Sequence, residues 1–305
     1  MAVSTDILVI LGPTASGKSE LALELARRTR AEILSVDSMQ VYRGMDVGTA
    51  KPTAAEQAAV RHHLIDLVNP SEAFTVARFV EQADAVIADC RRRNVPLIAT
   101  GGTPLYYKAL FEGLFEGPPA DDAIRQRLKT EDADALHARL RAVDPAAAGR
   151  IHANDTRRVI RALEVFELTG RPITSFQTDW ETPVHRHAAT WLGLNWDKDV
   201  LNRRINARVK SMFAAGWLDE VRTLLDRFGD LSKTAAEATG YQTLIDHVRG
   251  QLTLDDAVEL IKIATRQLAR KQMKWFRRWS QVRWIPGNAD LETRLQTASQ
   301  SWPHG

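Results

Sequence analysis

The stretch Gly12-Pro13-Thr14-Ala15-Ser16-Gly17-Lys18-Ser19 follows the apolar run ILVIL and precedes ELALELARR. Its spacing, G-x-x-x-x-G-K-S, is that of a phosphate-cradling loop: the glycines permit a tight turn that aims successive N–H groups at phosphate oxygens. Lys18 adds a point charge, and Ser19 offers a hydroxyl to a magnesium ion. The helical pattern that follows brings its partly positive N-terminus to the same spot. Such a loop specifies a polyphosphate, not a reaction. A second reactive group, Asp37, ends the apolar segment AEILSVDS. A carboxylate at a strand end beside bound phosphate can act as a general base, or it can cap a helix or hold magnesium through water. In a small-molecule kinase it would activate an acceptor hydroxyl. The sequence after it, SMQVYRGMDVGTAKP, is unusual for the magnesium-binding strand of an ATPase. His62, His63 and His152 have no partner pattern and read as structural, and Met39 and Tyr42 as core or loop packing.

These groups need a scaffold. DILVIL, AEILSVDS and NVPLIATGGT read as buried strands, with the helical patterns SELALELARR and FTVARFVEQADAVIADCRRR between them. Strands alternating with helices predict an α/β fold: a parallel, P-loop NTPase-like sheet flanked by helices. Ligands of such sheets bind beyond the carboxyl ends of the strands, where the loop, Asp37 with Ser38, and residues 100–103 all fall. The Pro/Gly/Asp break EGPPADD starts a helical stretch with no strand pattern, capped at Asp155 and Gly170 over its last helix. ATWLGLNW then returns to the sheet, and helices follow, the longest over about residues 254–280. The predicted organisation is a core of residues 1–117 and 188–305 with a mostly helical insertion over 118–187.

The chain has 305 residues, an ordinary soluble composition and a net charge of only +3. No apolar stretch approaches the ~20 residues of a membrane helix, and no secretory signal is evident, so a cytoplasmic protein is expected. Cys90 is the only cysteine, which excludes an internal disulfide and a cysteine-based zinc site. The location of charge is more informative. Residues 261–286 hold eight Lys or Arg and no acid. On a helix, Lys262, Arg266, Arg270 and Lys274 would wind along one face, continued by Arg277 and Arg278, with Leu268, Trp275 and Trp279 packed on the other. This is a nucleic-acid surface or a solvated face. Arg157, Arg158 and Arg161 form a second cluster, to meet a polyanion or to pair with Glu164 and Glu167. Two such surfaces would grip a long polyanion from two parts of the chain.

Six segments, GPTASGKS, DSMQVYRGMDVGTAKP, HHLIDLVNPSEAFTVARF, TGGTPLYYKAL, NDTRRVIRALEV and ATRQLARKQMKWFRR, resemble the tRNA dimethylallyltransferase (tRNA isopentenyltransferase) family. The resemblance implies transfer of a dimethylallyl group from dimethylallyl diphosphate to N6 of the adenine just 3′ of the anticodon, in tRNAs reading codons that begin with U. The loop from Gly12 to Ser19 would hold the diphosphate leaving group, with Mg²⁺ on Ser19. Asp37 would take the N6 proton, and Arg208 would help bind diphosphate, although Arg203 and Arg204 lie close by. Asp37, Ser38, Met39, Gln40 and Thr103 would line the adenine's side of the site. The remaining tRNA contacts would come from Arg125, from Arg157, Arg158, Val159, Ile160 and Arg161, from Gly240, Tyr241 and Gln242, and from Arg270, Lys271, Gln272, Lys274, Trp275 and Arg277. The TGYQ stretch at 239–242 can equally be a simple turn. The partners implied are the tRNA anticodon stem-loop and dimethylallyl diphosphate, with no membrane and a monomeric state. Alternatives from the residues are a prenyltransferase of free adenine nucleotides, a small-molecule kinase and a non-catalytic RNA-binding protein. The segment GNADLETRLQTASQSWPHG has no counterpart in the resemblance.

Overall fold

A computed structural model describes residues 6–113, 117–176 and 186–302. The first five residues, the start of the EGPPADD break and the last part of the insertion lie outside these. The elements run β1 (Ile7–Leu11), α1 (Lys18–Thr29), β2 (Glu32–Ser35), α2 (Ala54–Ala59), β3 (His62–His63), α3 (Val76–Arg92), β4 (Leu97–Thr100) and α4 (Pro104–Glu112). Four helices follow without a strand: α5 (Asp122–Lys129), α6 (Ala133–Val143), α7 (Pro145–Arg150) and α8 (Thr156–Thr169). The chain then forms β5 (Thr190–Asn195), α9 (Lys198–Ala214), α10 (Trp217–Phe228), α11 (Lys233–Ala236), α12 (Tyr241–Val248), α13 (Leu254–Phe276), β6 (Arg283–Pro286) and α14 (Leu291–Ser301). Two compact units result, Met1–Leu110 with His187–Gly305, and Phe111–Arg186.

In the first unit all strands are parallel, in the order β3-β2-β4-β1-β5-β6. β1 is central, and its five residues are all buried, as a strand covered on both faces requires. On one face Leu8, Ile10, Ile33, Ile98 and Leu192 pack with Leu21 and Leu25 of α1 and Leu295 of α14. On the other, Tyr107, Trp191, Phe276 and Trp279 form an aromatic cluster with centroids 5.4–6.2 Å apart. The register pairs Ile7 with Leu97, and Leu97 with Glu32, so β1, β4 and β2 end together at one edge. The loops after these three strands are therefore neighbours.

Two strands depart from the sequence-based expectation. The short β3, at His62 and His63, is held at the sheet edge by a 2.6 Å contact from His63 Nε2 to Glu32, which also pairs with Arg93. The helix expected to 280 stops at Phe276, and Arg283–Pro286 forms the opposite edge. The unassigned C-terminal segment is part of the core. Leu295 and Trp302 are fully buried, and Glu292 receives a two-pronged contact from Arg28 of α1 at 3.0 and 2.9 Å.

The second unit packs α5–α8 around Leu128, Leu136, Leu140, Val159 and Leu163. Its junction starts at Phe111, earlier than the break at 117, because Phe111 C=O accepts the Arg186 N–H at 3.0 Å and ties the two ends of the unit together. Glu164 is fully buried and receives Arg125 at 2.8 Å, Arg161 at 2.6 Å and the Asp121 N–H at 2.7 Å. Burial opposes ionisation, but the guanidiniums of Arg161 and Arg125 and the amide together hold this carboxyl below the usual range.

Candidate active site

The loop after β1 has the conformation that anion binding needs. Gly17 stands at φ 86°, a left-handed value that glycine adopts without strain, and turns the chain into α1. No side chain caps α1 there, whereas α2 and α3 are capped by Thr53 and Thr75. The first-turn N–H groups of α1 are thus left for a ligand. The loop's carbonyls are held from behind. Trp196 Nε1 donates to Ser16 C=O at 3.0 Å, and Arg204 Nε donates to Ala15 C=O at 2.9 Å while its guanidinium lies 4.4 Å over the Trp196 ring. Ser16 Oγ is buried without a hydrogen-bond partner, an arrangement costly unless a ligand supplies one.

The facing wall carries Asp37. Asp37 Oδ1 accepts the Met39 N–H at 2.9 Å, and Thr103 Oγ1 accepts the Ser38 N–H at 2.9 Å. Gln40 donates through Nε2 to the carbonyls of Thr49 and Ala50 and accepts through Oε1 from Ser35 Oγ at 2.8 Å. The loop beyond is pinned at two points. Lys51, with its side chain 2% exposed, donates to Tyr42 C=O, Asp46 and Asp66 at 2.5–2.7 Å. Glu220 accepts the N–H groups of Asp46, Val47 and Gly48 and the Tyr241 hydroxyl.

A cavity of about 290 Å³ lies between these walls, lined by Thr14, Lys18, Ser19, Asp37, Ser38, Met39, Gln40, Gly102, Thr103 and Arg208. Of the three arginines in RRINAR, Arg208 lines it, Arg204 braces the back of the loop and Arg203 is exposed. Burial, and then the neighbouring Arg208, bring the Lys18 pKa down to about 8 against the raising effect of Asp37. Burial likewise lowers the Arg208 pKa, with Asp37 opposing. Two partly desolvated cations sharing one carboxylate form a site with electrostatic room for an anion. Phosphate oxygens would meet Lys18, Arg208 and the uncapped α1 amides. Ser19, exposed in the first turn of α1, offers the one hard oxygen that a phosphate-bound magnesium ion needs from a protein.

The expected nucleic-acid contacts divide. Arg270, Lys271, Lys274 and Arg277 are exposed at the C-terminal end of α13, and Trp275 is half-buried with Arg278 5.0 Å from its ring. The start of the expected stripe is not part of this face. Lys262 is buried and paired with Glu259 at 2.5 Å, and Arg266 donates to Asn206 at 2.8 Å. Gln272 is also buried and belongs to the cavity wall. Arg157 and Arg158 are exposed, but Val159 and Ile160 lie in the helical core, and Arg125 and Arg161 are engaged by Glu164. Helical spacing alone cannot say which side of a helix faces its core. Gly240 and Tyr241 are buried against Trp217, and TGYQ is the packed entry to α12: Thr239 lines the cavity, Gly240 caps the helix, and of the four only Gln242 is exposed. Sequence reasoning missed Lys51, Trp196 and Glu220, and it had Arg204 only as an alternative to Arg208 beside the diphosphate, not as a brace of the loop. Lys51 falls inside DSMQVYRGMDVGTAKP, but nothing local signals the contacts of Trp196, Arg204 and Glu220, which act across 170 or more positions.

Residues 40–279 match the model of the IPP transferase family. The chain is 47% identical over 292 residues to a tRNA dimethylallyltransferase of Geobacter metallireducens, covering 94% of each chain. It is 48% identical over 295 residues to one of Anaeromyxobacter, covering 93% of this chain and 96% of that one. The solved tRNA isopentenylpyrophosphate transferase of Bacillus halodurans superposes with TM-score 0.69 at 37% identity, covering 96% of this chain and 98% of that one. A eukaryotic dimethylallyltransferase captured acting on tRNA superposes with TM-score 0.81 at 28% identity, covering 96% and 76%. A phosphate loop facing a strand-end aspartate, a fold shared with the two solved enzymes, and a sequence 47–48% identical to the two bacterial tRNA dimethylallyltransferases over nearly its whole length make this chain a member of the IPP transferase family.

Proposed function

We propose that this enzyme transfers the dimethylallyl group of dimethylallyl diphosphate to N6 of the adenosine just 3′ of the anticodon, in tRNAs reading codons that begin with U. The observation that carries the reading is that Lys18, Ser19, Arg208 and Asp37 line one and the same cavity. The C1–O bond to diphosphate breaks as N6 attacks C1, and N6 loses a proton. Charge develops on the departing diphosphate, where Lys18, Arg208 and the first N–H groups of α1 stabilise it. Asp37 accepts the N6 proton, its other carboxylate oxygen held by the Met39 amide. Magnesium bound at Ser19 and the diphosphate would supply further positive charge to the leaving group. The adenine must leave its stack to enter between Ser38, Met39 and Thr103. The exposed Arg270, Lys271, Lys274 and Arg277 fit the RNA backbone, with Trp275 available for a loop base. Arg157 and Arg158 supply a second basic surface on the helical unit. A monomer acting on the anticodon stem-loop is sufficient for this chemistry.

The test is a transfer assay with radiolabelled dimethylallyl diphosphate and Mg²⁺, offering an unmodified anticodon stem-loop with three consecutive adenines and, in parallel, AMP. Label on the stem-loop alone is the expected result. Label on AMP assigns the enzyme to free nucleotides, and label on neither overturns the reading.

A further inference from the structure

Gln272 sits on α13, 4% exposed, two residues from the exposed Arg270 and Lys274. Its Oε1 accepts the Thr14 N–H at 2.8 Å, and its Nε2 donates to Gly102 C=O at 2.7 Å. Thr14 belongs to the diphosphate loop and Gly102 to the opposite wall. A Cβ on Gly102 would stand 2.8 Å from Gln272 Nε2 and 3.2 Å from Asp37 Oδ2, so this residue packs closely against both the amide and the carboxylate. The adjoining Thr103 accepts the Ser38 N–H. One side chain therefore joins the loop that would hold the leaving group to the wall that carries the base.

We infer that Gln272 is a positioning residue that sets the separation between the diphosphate loop and Asp37, an inference that rests on the transfer reaction proposed above. Packing alone does not account for an amide here. The adjacent buried residues of α13, Ala269 and Phe276, seat the helix through apolar contacts. An apolar residue at 272 would fill the same space, yet it would leave the Thr14 N–H and the Gly102 C=O without their partner. With the amide present, both walls are bonded to one rigid group of fixed length. C1 and N6 must meet at about 3–3.5 Å, and a displacement of about 1 Å costs on the order of 100-fold in rate.

Gln272→Met keeps the length and burial of the side chain and removes both bonds. Gln272→Leu is a second neutral, apolar replacement that also removes both bonds. For each variant and the wild type, single-turnover transfer to the stem-loop is measured at saturating substrates. The Kd of dimethylallyl diphosphate alone and of the stem-loop alone, and the thermal midpoint, are measured beside it. The expected result is a single-turnover rate about 10–100-fold lower in both variants, with both Kd values within about threefold of wild type. A rate within about twofold of wild type in a folded variant overturns the inference. So does a loss confined to either Kd, which would make Gln272 a ligand-binding group. If the Met variant does not fold, the Leu variant is read by the same criteria. A wild type that labels no stem-loop refutes the reading of function and this inference with it. A labelling wild type matched by its variants refutes the inference alone.

Discussion

Lys18 should make the affinity for dimethylallyl diphosphate depend on pH in a defined direction. In the free protein its pKa is brought from 10.5 to about 8, chiefly by burial and then by Arg208. A bound diphosphate favours the charged ammonium and raises that pKa again. Below pH about 8 the ammonium is charged with or without ligand, so affinity is flat. Above it, binding must take up a proton, and affinity falls as pH rises. Lys18 is roughly three-quarters charged at pH 7.5 and about one-tenth charged at pH 9, so affinity should drop about eightfold, or ~1.2 kcal/mol. The ligand does not titrate in this window, since phosphate esters lose their second proton near pH 6. At the cavity, burial depresses the His62 pKa, so this imidazole is neutral throughout, and the Arg208 guanidinium remains charged. The assay is calorimetric titration without tRNA, in buffers of different ionisation enthalpy, with proton uptake approaching about one per ligand at pH 9. Lys18→Arg should bind with no such decline, because a guanidinium holds its charge across the range. A wild-type affinity that is flat from pH 7 to 9.5, or an equal decline in the arginine variant, refutes the assignment of the charge to Lys18.

Asp37→Asn retains an acceptor for the Met39 amide but no base, so saturated transfer should fall by about 10²–10⁴-fold while stem-loop affinity stays within about threefold; an unchanged rate removes Asp37 from the chemistry. Replacing Arg270, Lys274 and Arg277 together with glutamine should flatten the log–log salt dependence of stem-loop binding by about 2. An unaltered slope returns that face to plain solvation. Glu164→Ala strands two guanidiniums and the Asp121 amide, and should cost roughly 2–3 kcal/mol in urea unfolding. This is less than a fully buried pair because Arg161 and Arg125 keep 28% and 35% of their side-chain surface. A change under about 0.5 kcal/mol would show that the buried carboxylate is dispensable.

Most of the scaffold and one wall of the site were legible in the sequence because their causes are local. Five buried residues before G-x-x-x-x-G-K-S make a central strand, a glycine at the φ of Gly17 makes the turn, and the first helix follows. The apolar segments ending near Asp37 and Gly101 required only that the sheet be parallel for their ends to coincide. The two-residue β3 and the β6 strand RWIP were not legible, since each is an edge strand whose pairing depends on a neighbour already in place. Orientation was likewise hidden. Arg125 and Arg161 have the charge and spacing of polyanion ligands, but the buried Glu164 takes both. Lys262 and Arg270 differ by two helical turns in sequence, and packing alone decides that one is buried and the other exposed. The sequence by itself determined which groups could hold a diphosphate and accept a proton, because those capacities belong to residue types and to backbone turns of a few residues. Only the tertiary structure decided how far apart they stand. Trp196 and Arg204 hold the loop, and Gln272 joins it to the wall of Asp37, each from a segment distant in the chain where no local pattern constrains it.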